Sequence, residues 1–200
     1  MNSKRSFVLG AIGAGFLIGL ASAAFCRLEK PLGAALFGLG LLVVLIEQLW
    51  LFTGRIGYLN RENYKSVLAC LPFNILGAAF CAILAVWAFG SDLGAVAVAE
   101  KKLALPPLQV FVRAMFCGFC MVTAVESWKK ANSTWGVLLS VFIFVASGFE
   151  HCIADVFYLV AGSSQWASVA RFIGIAILGN ACGSLLLKAF LPDAPKPTAK

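Results

Sequence analysis

Charge is what this chain has least of. Asp, Glu, Lys and Arg make up 12 % of its 200 residues, and His151 is its single histidine. A soluble domain is about one quarter charged residues, so a water-soluble fold is excluded, and no polar linker or basic tail marks off a second domain. Without a basic domain, nucleic acid is excluded as a partner. A disulfide framework is also missing: the seven cysteines are odd in number and fall mostly inside apolar runs. Cys117 and Cys120 form a C-x-x-C, yet no histidine or acid stands near them in sequence, and a zinc site needs four converging ligands. They read as small packing residues, and no metal or cofactor is expected.

What fills the chain instead is apolar: 61 % of the residues are hydrophobic and the mean hydropathy is +0.92. A bilayer span takes about 20 mostly apolar residues. Six such runs follow one another at 7–25, 32–51, 66–89, 103–125, 135–159 and 167–191. The sequence therefore predicts an all-α integral membrane protein, one transmembrane domain over 1–200 with a cytoplasmic segment 1–6 and a flexible cytoplasmic tail 192–200.

The basic residues test this topology. With both termini in the cytoplasm, the inner side holds ten of the 16: Lys4, Arg5, Arg55, Arg61, Lys65, Lys129, Lys130, Lys188, Lys196 and Lys200. The outer side holds five, Arg27, Lys30, Lys101, Lys102 and Arg171, while Arg113 lies within the fourth run. That excess agrees with the positive-inside rule for an even number of passes, and the net charge of +7 reads as topology and inner-leaflet contact. The expected location is the inner (plasma) membrane. Lys4-Arg5, the first apolar run and Ala21-Ser22-Ala23 also fit a signal peptide. Against that, Gly10, Gly13, Gly15 and Gly19 suit a packed membrane helix, and cleavage would break the repeat described next.

Two runs are interrupted. The second carries Glu47-Gln48 and then Leu51-Phe52-Thr53-Gly54; the fifth carries Ser147-Gly148-Phe149-Glu150-His151. Non-helical backbone at membrane depth survives only where protein buries it or where it lines a cavity, so each break is a candidate pore element. Asn74-Ile75-Leu76-Gly77 in run three is echoed by Asn180-Ala181-Cys182-Gly183 in run six. The chain reads as a 3+3 repeat. Three helices per half force the halves into opposite orientation, with the site expected at the broken helices 2 and 5. Thr53 precedes Asn74 by 21 residues and His151 precedes Asn180 by 29, so the first half is short after its break.

His151 and Glu150 sit inside an apolar run, where ionisable groups are costly and usually functional. The histidine's reference pKa of about 6.5 allows protonation near neutral pH. Its other reading is interhelical packing glue; the adjacent glycine and the break favour a cavity. Phe37, Phe52, Phe144 and Phe149 flank the breaks and could close a narrow pore by dewetting, although with 17 phenylalanines composition alone does not single them out. Lys101 and Lys102 precede run four, where a cation either concentrates anions or merely snorkels. Glu126, Lys129 and Lys130 read as helix-end anchors, and Arg113 as an interhelical partner.

The stretches Leu51-Phe52-Thr53-Gly54 and Gly148-Phe149-Glu150-His151-Cys152-Ile153-Ala154-Asp155 closely resemble the two signature loops of the formate/nitrite transporter family. The paired Asn-x-x-Gly motifs support the resemblance across most of the chain. It implies an aquaporin-like fold, a homopentamer with one pore in each protomer, and passive or proton-coupled movement of formate, nitrite, hydrosulfide or a similar small anion. Carried over residue by residue, it implies that Thr53 and His151 face each other as pore and proton-relay residues. Phe37, Leu41, Leu51 and Phe52 resemble a cytoplasmic constriction, and Phe144 and Phe149 a periplasmic one. Lys102 matches an outer lysine that attracts the anion, while Glu150, Asn74 and Asn180 support the loops.

The chain departs from the family pattern at Gly118, Arg55, Cys152 and Asp155, where Asn, Asn, Ser and Asn are common. Gly118 is expected to remove a polar side chain near the histidine, and Arg55 to place a fixed cation beside the first loop. The expected function is a channel for small monovalent anions of weak acids, with proton-assisted passage past His151. The alternatives are a channel for a different small acid and a non-conducting membrane subunit. An enzyme is not expected, because no nucleophile–base pair is recognisable.

Overall fold

The computed structural model describes residues 3–192, which are helical apart from short turns and breaks. Among the described residues nine α-helices run in the order α1 (Ser3–Arg27), α2 (Lys30–Ile46), α3 (Phe52–Arg55), α4 (Tyr64–Phe89), α5 (Ala95–Leu103), α6 (Pro107–Ala131), α7 (Thr134–Ala146), α8 (Cys152–Gly162) and α9 (Trp166–Phe190). Four helices are long and apolar enough to cross a membrane: Lys4–Arg27, the run Tyr64–Leu93, Pro107–Ala131 and Trp166–Phe190. The other two passes are made of pieces. At about 1.5 Å per residue, α7 and α8 together reach roughly 36 Å, against a hydrocarbon core of about 30 Å.

The breaks share one backbone design. At the end of α2, Gln48 N–H donates to Leu45 O and Leu49 N–H to Val44 O; at the end of α7, Gly148 N–H donates to Val145 O and Phe149 N–H to Phe144 O. Both are Schellman endings, which need a left-handed residue just past the helix. Gly148 takes that position with φ +69°, and Gln48 takes it in the first half with φ +52° despite its side chain.

The chain then re-enters a helix, and a buried asparagine holds each re-entry. Asn74 Oδ1 accepts from Phe52 N–H at 2.8 Å while its Nδ2 donates to Trp50 O and Ala11 O. Asn180 Oδ1 accepts from Cys152 N–H at 2.8 Å while its Nδ2 donates to Glu150 O and Ala114 O. Each asparagine thereby joins a broken loop to the opposing long helix. The glycine three residues on makes the contact possible. A Cβ on Gly77 would fall 2.0 Å from Ile12 O, and one on Gly183 would fall 2.1 Å from Met115 O. Accordingly α1 packs on α4 as α6 packs on α9, and α2 meets α7 between the halves.

The start of the fourth pass differs from the sequence reading. The fourth pass begins at Pro107, not at residue 103, because Pro106 is extended and Pro107 takes the first helical turn, where its missing N–H forfeits no helical bond. Ahead of it the chain forms α5, a separate short helix that carries Lys101 and Lys102. Residues 3–6 belong to α1, and the tail expected over 192–200 lies outside the described residues beyond Pro192.

Candidate functional site

His151 is the N-cap of α8. Its Nδ1 accepts from Ala154 N–H at 3.2 Å, so a neutral ring keeps its proton on Nε2. Nε2 lies 2.9 Å from Thr53 Oγ1, at the start of α3 from the other half, and both residues are buried. With Nε2–H donating, the threonine hydroxyl keeps its own proton free to donate elsewhere. The two signature stretches thus meet side chain to side chain at the midpoint of the repeat.

Apolar side chains surround this pair. The Phe144 ring stacks on the imidazole at 5.6 Å between centroids, and Phe37 meets Phe144 edge-on at 5.8 Å. Leu41, Leu51 and Phe52 are buried beside them. A cavity opens on either side of this apolar layer. One, of about 320 Å³, is lined by Phe37, Phe144, Phe149, His151 and Lys102 among others. The other, of about 390 Å³, is lined by Leu41, Leu51, Arg55, Trp128 and Lys129 among others.

The expected grouping of aromatics changes here. Phe37 faces the Lys102 cavity with Phe144, whereas Leu41, one helical turn further along α2, faces the Arg55 cavity with Leu51. A single turn of about 5.4 Å is enough to move a side chain from one side of the layer to the other. Phe52 lines neither cavity. Phe149 borders the Lys102 cavity and packs on Phe116 at 5.2 Å.

Lys102 is not a bare cation. Its Nζ pairs with Glu150 Oε2 and, at 2.8 Å, with Asp155 Oδ1, and both carboxylates are buried. Lys30, Lys101 and Arg113 line the same cavity without a carboxylate partner among the described residues. Arg113, expected to bond another helix, faces this cavity instead. Gly118 also has a different purpose from the one expected. A Cβ there would meet Asn180 O at 2.5 Å, so the residue serves the contact of α6 with α9 and leaves no space for a side chain.

At the other mouth, Arg55 lies over Trp50 with its guanidinium carbon 4.0 Å from a ring centroid. Its Nη2 donates to Gln48 O and Leu49 O. Glu126 accepts from Tyr58 Oη at 2.8 Å and pairs with Lys130 at 2.7 Å and Lys188 at 3.5 Å. The sequence marks Glu126, Lys129 and Lys130 as helix-end anchors and does not show that Tyr58 and Lys188 join them. Among the described residues no three His, Cys, Asp or Glu side chains converge where a metal ion could be held.

A family model described as formate/nitrite transporter matches residues 2–192. A probable formate transporter of Methanothermobacter thermautotrophicus is 30 % identical over 213 residues, covering 86 % of this chain and 78 % of that protein. Among solved structures, an FNT family ion channel superposes with a TM-score of 0.84 at 21 % identity, over 94 % of this chain and 89 % of that one, a likeness of fold. A pentameric formate channel with formate bound superposes with a TM-score of 0.77 at 26 % identity, over 95 % of this chain and 97 % of that one.

Proposed function

Because the chain belongs to the formate/nitrite transporter family, we propose that it is a transmembrane channel for small monovalent anions of weak acids, with formate or nitrite as the leading substrates, and not an enzyme. The observation that carries this reading is the Thr53–His151 contact at 2.9 Å, held between two cavities by an apolar layer. Taking an unpaired ion out of water costs several kcal/mol. A small anion therefore crosses Phe37, Phe144, Leu41 and Leu51 far more readily as its neutral acid.

The proton comes from water relayed past His151. Protonating Nδ1 would remove the cap on α8, whereas Nε2–H and the threonine hydroxyl can orient a passing acid without losing any bond of the fold. Lys30, Lys101 and Arg113, which keep their charges unpaired among the described residues, draw anions into the Lys102 mouth. Likeness to a pentameric channel supports a homopentamer with a pore in each protomer. The basic residues near the Arg55 mouth support placing that mouth and both termini in the cytoplasm.

The test is uptake into proteoliposomes. Formate, nitrite and hydrosulfide are compared with a large anion such as gluconate at equal gradient. Rapid entry of at least one of the three with gluconate excluded is the expected result. No entry of any of them into vesicles holding correctly assembled protein would overturn the proposal.

A further inference from the structure

Arg55 and Lys129 both line the cavity of about 390 Å³ at the mouth that we place in the cytoplasm. Neither is neutralised by a carboxylate among the described residues. Arg55 spends only Nη2 on the carbonyls of Gln48 and Leu49, at 3.1 and 3.4 Å, which leaves Nη1 and Nε without an acceptor. Lys129 Nζ sits 3.3 Å from the centroid of Tyr58 and forms no ion pair. Lys129 is close enough to Glu126 to be attracted by it and to Arg55 to be repelled. The neighbouring acid, Glu126, is engaged by Lys130, Lys188 and Tyr58. Glu47 and Glu62 are exposed and do not line the cavity.

Aromatic faces attract cations by about 0.5–2 kcal/mol, and they take up none of the N–H donors. Trp50 under Arg55 and Tyr58 under Lys129 thus position both charges and leave them able to bind. At about 30 Å³ for each water, the cavity has room for an anion with hydrating waters. We propose that this vestibule is an anion-binding station. Arg55 offers a planar fork to a small carboxylate or oxoanion, and Lys129 adds a point charge. The station holds the anion at the mouth, outside the apolar layer. Its role in transport rests on the channel reading, but binding itself does not.

Trp50 and Trp128 make the site observable. The detergent-solubilised full-length protein is titrated with iodide as an anionic quencher and with acrylamide as a neutral one, in the absence and presence of formate, at constant ionic strength. The expected result is a saturable component of iodide quenching that formate competes away, with acrylamide showing none. Lys129→Gln, at an exposed position, is expected to weaken that component roughly two- to fivefold, the scale of one exposed charge contact. Adding Arg55→Gln abolishes it. Saturable quenching unchanged in Lys129→Gln, or iodide quenching that never saturates in the unaltered protein, would overturn the proposal. Saturable binding without flux would leave the station standing and remove the channel; flux without saturable binding would do the reverse.

Discussion

After its break, the first half of the chain continues for four α-helical residues and a 3-10 turn at Ile56–Tyr58, and lays Arg55 on an indole; after its own break, the second half continues as an 11-residue α-helix and buries Asp155 against Lys102. The backbone that precedes these endings is the same in both halves, down to paired Schellman bonds and an asparagine that spans the loop. The side chains diverge where the pore differs. In the longer half, two carboxylates share a single ammonium, and that cluster anchors the loop that presents His151. In the shorter half there is no partner helix length to supply a carboxylate, and the cation is left facing the cavity.

The largest expected effect comes from breaking the closed cluster. Lys102→Met would leave Glu150 and Asp155 buried without a cation, a loss of about 3 kcal/mol or more, seen as a lower thermal midpoint in detergent. Adding Asp155→Asn to Lys102→Met should recover a substantial part, since one carboxylate then needs no partner. If the two substitutions are simply additive, the carboxylates are not sharing the lysine.

The two breaks provide the next comparison, with opposite signs. Gly148→Ala places a side chain at φ +69° and should cost about 1–2 kcal/mol. Gln48→Gly relieves the matching position at φ +52° and should stabilise by about 1 kcal/mol. Thermal midpoints moving in the same direction would show that the endings are not equivalent. The smallest stability effect belongs to Arg55→Gln. It gives up partly exposed bonds and an aromatic contact, worth about 1 kcal/mol or less, even though it removes the cation at that mouth.

What the sequence made legible follows from what is local. Glycine and polar residues inside apolar runs marked both breaks, and the repeated Asn-x-x-Gly marked the helices that hold them. The backbone carbonyls that those asparagines bridge, Ala11 with Trp50 and Ala114 with Glu150, lie far apart in sequence, so the motif alone could not show its purpose. Helix α5 is not legible in the sequence because its end and the start of α6 at Pro107 fall within one continuous stretch that reads as a single apolar run. The resemblance groups Phe37 with Leu41 by their distance upstream of the first loop, but the layer between the cavities passes between them. The neutralisation of Lys102 was hidden for a further reason. Its two carboxylates lie 48 and 53 residues away, on the other side of a complete transmembrane helix.

The most direct test of proton-assisted passage is formate uptake into proteoliposomes, measured as initial rate across a pH series, for the unaltered protein and for His151→Asn. Asparagine can keep the cap on Ala154 N–H but loses the imidazole opposite Thr53, so the variant should fold and assemble. The account predicts a rate that rises as pH falls in the unaltered protein, and a slower, flatter profile in the variant. An identical rate and pH profile in His151→Asn would contradict it.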